Sequence, residues 1–182
     1  DNYINLATRT IEGTDIGVYY NLETSFGDFS LRYIGTYIDL FDQTPDGDYN
    51  TLVSAQQSGL LDQSIPLEGF GDLLGLDGNY DEKHTLRATW RNGPWQVTTS
   101  SLTKGEFYQD SLTLSDGTRF VIPSMTTHNL TVAYYFDRAR VKLGINNVED
   151  ERAPLADRYF GYYADAHQDY GRYSYLDVRM SF

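Results

Sequence analysis

Hydrophobic and polar residues alternate along most of this chain with a period of two, and turn residues interrupt the alternation at intervals. Successive side chains of a β-strand point to opposite faces, so this pattern predicts strands with one apolar and one polar face. Seven strands are predicted: Glu12–Leu22, Asp28–Leu40, Lys83–Arg91, Trp95–Phe107, Thr126–Phe136, Arg140–Val148 and Arg172–Phe182. Signals for helices are scarce, and the predicted fold class is all-β and antiparallel.

The two predicted strand faces differ in charge. One face carries apolar and aromatic side chains without a central charge, among them Ile16, Val18, Leu31, Leu86, Val132, Leu143 and Val178. The other holds Asp15, Arg32, Arg87, Arg91, Lys104, Arg140, Lys142, Asp177 and Arg179. An Arg or Lys that faces lipid at mid-bilayer costs roughly 2–4 kcal/mol, so this segregation indicates a transmembrane β-barrel. A β-sandwich with one solvated face is the alternative. Ile34 and Ile38 break the pattern, and we expect a bulge near Gly35 to explain them.

The connections between the strands alternate in length. Residues 23–27, 92–94 and 137–139 form short turns, whereas Asp42–Glu82, Tyr108–Met125 and Glu149–Gly171 are long. Outer-membrane barrels have short periplasmic turns and long extracellular loops, so the pattern favours an up-and-down barrel of that class. Aromatic residues near the short turns are predicted to form a girdle at one membrane boundary: Phe26, Phe29, Trp90, Trp95, Phe136 and Phe182.

Composition narrows the function further. The formal net charge of −12 repels phosphate groups, so no nucleic-acid partner is expected. The chain has no cysteine and lacks the nucleophile-elbow and zinc-protease motifs, so we predict a protein that is not an enzyme. Neither a cofactor nor a metal site is expected.

The end of the chain carries a resemblance to a known family. The run from Gly144 to Asp150 reads Gly-Ile-Asn-Asn-Val-Glu-Asp, and Pro154, a Tyr-rich loop and the pair Gly171-Arg172 follow it. Alternating apolar residues then lead to a terminal Phe182. In this order the motifs resemble the last two strands of TonB-dependent outer-membrane receptors, although Glu stands where that family usually has Phe before the Asp.

This resemblance implies a bacterial outer-membrane receptor for energy-coupled uptake of a specific ligand, such as a carbohydrate or siderophore. Its partners would be the plug and N-terminal strands of the same receptor, TonB, membrane lipid and lipopolysaccharide, and the small-molecule ligand. Single-chain bacterial barrels have an even strand number, so residues 1–182 are predicted to be the last seven or so strands of a barrel of about 22. The alternative is a passive porin, or a small eight-stranded barrel that counts Tyr3–Thr8 as a strand.

Ligand contact is predicted in the loop Glu149–Gly171, where rings for stacking stand beside carboxylates for hydrogen bonds. The candidates are Tyr159, Phe160, Tyr162, Tyr163, Asp165, His167, Asp169 and Tyr170. The alternative for each ring is that it packs the loop against its neighbours. A second set is predicted to act as the membrane-insertion signal: Leu176, Val178, Met180 and Phe182.

Overall fold

A computed structural model of the protein describes residues 8–45, 47–65, 67, 69–156 and 160–181. Two residues that the sequence singled out, Tyr159 and Phe182, lie outside the described residues. The same holds for residues 3–7 of the possible extra strand.

All seven predicted strands are present, which confirms the all-β antiparallel prediction. They are β1 (Arg9–Thr24), β2 (Gly27–Gln43), β4 (Glu82–Asn92), β5 (Trp95–Lys104), β8 (Met125–Tyr135), β9 (Ala139–Asn146) and β10 (Tyr173–Met180). The long connections contain elements that the sequence pattern did not predict. These are a helix, α1 (Gly47–Gln57), and the short strands β3 (Gly71–Asp72), β6 (Phe107–Thr113) and β7 (Arg119–Ile122).

The seven long strands form one antiparallel sheet in the order β1-β2-β4-β5-β8-β9-β10, and β3 pairs with the end of β2. Within the described residues, β1 and β10 each pair with one neighbour, so the sheet has two edges and does not close. Among these residues, no helix is long and apolar enough to cross a membrane.

The strand register gives the sheet two different faces. One row of paired residues crosses all seven strands and is apolar: Leu22, Phe29, Trp90, Val97, Val132, Leu143 and Leu176. The adjacent row points to the other face and consists mainly of small or polar residues: Asn21, Ser30, Thr89, Thr98, Thr131, Gly144 and Tyr175. Much of the apolar face is exposed, with Leu143 at 53% and Leu176 at 66%. The predicted faces therefore agree with the register.

The irregularity in the sheet lies elsewhere than expected. Ile34 and Gly35 pair regularly with β1, whereas the register shifts between Glu12 and Gly13, which leaves Asp39 as the extra residue of β2. The prediction of a bulge near Gly35 is therefore wrong. The shift occurs where Gly13 lets the β2 backbone come close, because a Cβ there would collide with the carbonyl oxygen of Tyr37.

The buried hydrophobic core lies in the long connections rather than in the sheet. Its members are Phe107, Ile122, Ala156, Tyr163 and Ala166, which come from the β6–β7 hairpin and the last loop. The first long loop joins them, since the Asp77 amide donates to the Tyr108 carbonyl (2.8 Å) and the Tyr108 amide to the Gly75 carbonyl (2.7 Å). We call residues 44–81, 105–124 and 147–172 the loop layer. Phe107 belongs to this layer, so the single predicted strand Trp95–Phe107 is wrong beyond Lys104.

Candidate ligand-binding site

The structure divides the predicted ligand-contact residues of the last loop into two groups. Phe160, Asp165 and Tyr170 are exposed and Tyr162 is half-buried, with the Phe160 and Tyr162 rings 6.3 Å apart. Tyr163 and His167 are buried, with only 6% and 2% of their surface exposed. Tyr159, the remaining aromatic candidate, lies outside the described residues.

The two buried candidates, Tyr163 and His167, pack on one ring of the hairpin. The Phe107 ring contacts Tyr163 edge-to-face at 5.3 Å and is stacked with His167 at 5.7 Å. Aromatic pairs at these separations are attractive beyond the surface that they bury. Tyr163 and His167 therefore hold two long loops together, which is the packing role considered above for each ring.

Asp169 is engaged within its own loop. The Arg152 guanidinium donates to both of its carboxylate oxygens, at 2.7 Å for the Nε–Oδ1 bond, and the Ala153 amide donates to Oδ1 at 2.9 Å. Hydrogen bonding from Arg152 and the Ala153 amide lowers the pKa of Asp169 to about 2. The Arg152–Asp169 ion pair connects the beginning of the loop to its end, so the Asp169 carboxylate has a structural role.

A cavity of about 260 Å³ lies between the last loop and the polar face of the sheet. The sheet contributes Lys104, Asn129 and Asn146 to its lining, and the loop contributes His167 and Tyr170. The Lys104 ammonium donates a hydrogen bond to the Ala166 carbonyl and so connects the end of β5 to the loop. Pockets for drug-sized ligands measure roughly 300–1,000 Å³, so this one suits a small ligand or one group of a larger ligand.

His167 forms part of the cavity lining and has unusual surroundings. Both ring nitrogens are buried and have no hydrogen-bond partner within the described part of the chain. Burial lowers the pKa of His167, and the nearby positive charge of Lys104 lowers it further. A neutral imidazole is therefore the form that this position favours.

The sequence prediction did not include the sheet residues of this cavity. Lys104 was assigned to the polar face, and Asn146 was noted only as part of the C-terminal motif. Both stand at the ends of their strands nearest the long loops. A search for polar-face residues at that end of the sheet would have found them.

Comparison with known proteins gives a structural likeness. No protein-family model matches the sequence, and no curated protein matches it. The fold is similar to that of the siderophore receptor PiuA from Acinetobacter baumannii, with a TM-score of 0.55 and 19% sequence identity. The likeness covers 93% of this chain and 21% of that receptor, so the chain spans about a fifth of the receptor's length. At this identity, the comparison concerns the fold alone.

Proposed function

We propose that this chain is part of the wall and loop layer of a bacterial outer-membrane receptor that imports a specific small ligand with energy delivered through TonB. The observation that carries the proposal is the pair of adjacent rows across the sheet. One row is apolar on all seven strands and the next is mainly polar. A sheet with lipid on one face and a polar lumen on the other requires this arrangement.

The two sheet edges that have no partner strand among the described residues support a larger barrel. In lipid, each unsatisfied backbone group costs several kcal/mol, so an open sheet is not a viable membrane structure. Further strands of the same receptor would pair with β1 and β10 and close the wall. The resemblance to TonB-dependent receptors adds the plug that fills such a barrel and the segment that contacts TonB.

The loop layer favours a specific receptor over a passive porin. Its connections share a buried core around Phe107 and Ile122. The last loop also lies over the polar face and encloses a cavity with Lys104 and Asn146. A packed, partly enclosed site of this kind suits selective binding, whereas a porin requires an open aqueous channel.

Uptake by intact cells tests the proposal. The full-length receptor would be expressed in a Gram-negative host with and without functional TonB, and uptake of labelled sugars, siderophores and cobalamin measured in both. We expect receptor-dependent uptake of one ligand class, and we expect that uptake to stop without TonB. Uptake that is equally fast without TonB would instead support the passive porin.

A further inference from the structure

We infer that the cavity beneath the last loop binds a carboxylate group that is flanked by hydroxyl groups, with Lys104 as its positively charged partner. This inference rests on the proposed receptor function and adds a ligand class to it. It differs from the sequence-based expectation that Asp165 and Asp169 bind the hydroxyl groups of a neutral sugar.

The charge of the cavity is the first argument. Lys104 contributes an ammonium group to the lining, and none of the described residues that line the cavity is Asp or Glu. One ammonium proton is directed to the Ala166 carbonyl, so two remain for a ligand. Charge-assisted hydrogen bonds to a carboxylate are about twice as strong as neutral ones, so an anionic oxygen group is the best partner for this site.

Among the described residues, no carboxylate of the last loop forms an ion pair with Lys104. Asp169 is paired with Arg152, and Asp150 accepts a hydrogen bond of 2.6 Å from the Arg172 amide. The net charge of the whole chain is negative, yet exposed charges beyond about 8 Å are largely screened at physiological ionic strength. The local charge of the half-buried Lys104 therefore determines which ligands the cavity prefers.

The uncharged groups of the cavity favour hydroxyl groups on the same ligand. Asn146 offers an amide with both donors and an acceptor on the polar face, and no hydrogen bond to its side chain is present among the described residues. Tyr170 and Tyr173 bring phenol hydroxyls and ring faces and are 76% and 49% exposed. Amides and tyrosines beside a single cation suit a small hydroxycarboxylate, or the hydroxycarboxylate end of a larger ligand.

Two probes of equal chain length test this inference. D-gluconate carries one carboxylate, and D-glucitol has the same carbon chain without a charge. Binding of each to the purified full-length receptor would be measured by saturation-transfer NMR. We expect the dissociation constant of gluconate to be at least fivefold lower than that of glucitol.

Variants at Lys104, at a second positively charged residue and at Asn146 show which side chain causes the preference for gluconate. Lys104→Gln should remove the preference for gluconate, and Lys104→Arg should keep most of it because the charge remains. Arg119 of the β6–β7 hairpin is exposed and lies outside the cavity lining, so Arg119→Gln is the control that removes one positive charge elsewhere in the loop layer. It should bind both probes like the wild type. Asn146→Leu leaves the loop contact of Lys104 intact and should weaken both probes alike.

Three outcomes would overturn the inference: no gluconate binding by the wild-type receptor, equal affinities for the two probes, or unchanged gluconate affinity in Lys104→Gln. Uptake with and without TonB, measured on the same receptor, separates this failure from failure of the proposed function. If the receptor shows TonB-dependent uptake of another ligand but one of these three binding results, the proposed function is supported and the carboxylate site is refuted. Uptake that does not depend on TonB would refute the proposed function, regardless of the affinities measured for gluconate and glucitol.

Discussion

Gly27 shows how a single residue constrains the turn between β1 and β2. Its φ of +123° lies in a region that side chains rarely adopt, and a Cβ there would stand 2.6 Å from Trp90 Nε1 and collide with the Arg91 carbonyl. Gly27→Ala should therefore lower the free energy of unfolding of the full-length receptor by about 3 kcal/mol, the upper end for a strained backbone position. Chemical unfolding in lipid vesicles measures the change.

Gly93 provides the control for this prediction. It sits in the next short turn with φ +53°, and a Cβ there would meet no atom within 4 Å. Gly93→Ala should cost only the backbone penalty of the left-handed region, about 1 kcal/mol. Equal losses at Gly27 and Gly93 would show that the contacts of Gly27 contribute nothing.

His167 makes the packing of the last loop sensitive to pH. Burial and the Lys104 charge lower its pKa from the ordinary value of 6.5, so the open loop binds a proton more readily than the packed loop. As the pH falls below 6.5, the packed loop should lose stability; at higher pH it should lose none. Hydrogen exchange of residues 160–171 in the full-length receptor should therefore be faster at pH 5 than at pH 7.5, after correction for intrinsic rates.

A substitution assigns this pH effect to one group. His167→Phe keeps a ring that can stack on Phe107 but has no proton to gain, so its loop should exchange at a rate independent of pH. Asp169 does not contribute to the difference between pH 5 and pH 7.5, because its pKa of about 2 keeps the carboxylate ionised at both. Retained pH dependence in His167→Phe would assign the effect to another group.

At the scale of elements, the last loop contains both buried and exposed aromatic residues. Tyr163 is buried against Phe107, whereas Tyr170 is largely exposed at the cavity. Removing a large buried ring costs about 3–5 kcal/mol, so Tyr163→Ala should unfold the loop and make it sensitive to limited proteolysis. Tyr170→Ala should leave proteolysis unchanged but weaken ligand uptake.

The difference between Tyr163 and Tyr170 also decides how a multiple Ala substitution in the last loop is interpreted. A triple Ala variant that includes Tyr163 would lose uptake through loss of loop packing, whatever the ligand contacts. The single variants separate the two causes. If Tyr163→Ala resists protease as well as the wild type, the loop core around Phe107 is not what orders the loop.

The strands provide a test of the two faces of the sheet. Val178 is exposed on the apolar face of β10, and Thr131 of β8 belongs to the polar row. Val178→Arg should destabilise membrane insertion by roughly 2–4 kcal/mol if it faces the bilayer centre, and Thr131→Arg should cost much less. Outer-membrane levels and unfolding in vesicles measure both. Equal penalties would mean that the faces do not separate lipid from lumen.

At the scale of the whole molecule, the open question is what pairs with β1 and β10. A large barrel places many other strands between them, whereas the eight-stranded alternative places only one strand there, residues Tyr3–Thr8, which would pair with β10. The chain has no native cysteine, so engineered pairs report contact cleanly. In the full-length receptor, cysteine at Ile4, Asn5 or Leu6 combined with cysteine at Leu176 should give no oxidised cross-link. Residues more than about 7 Å apart cannot be bridged.

The positive control for cross-linking lies within the sheet. Leu143 and Leu176 are register partners in β9 and β10, so a cysteine pair there should oxidise readily. Mobility on non-reducing gels gives the answer for every pair. A strong cross-link between residues 4–6 and β10 would favour the small eight-stranded barrel.

The sequence by itself determined the strands, their faces and their connections. The alternation of Leu130, Val132 and Tyr134 with Thr131 and Ala133 is a local pattern that a pleated strand turns into two faces. One face carries no charge at its central positions in the predicted strands, so the assignment of faces needed no knowledge of strand partners. Helix α1 was missed because none of its residues is buried, and it therefore has no apolar stripe to detect.

Only the tertiary structure decided which loop residues pack and which remain exposed. Tyr163 and Tyr170 look alike in sequence, and Tyr163 is buried because the ring of Phe107, far away in the chain, packs against it. The pairing of Arg152 with Asp169 and the position of Lys104 under the last loop have the same origin. Such contacts join segments that are distant in sequence and carry no local period, so alternation and composition could not determine them.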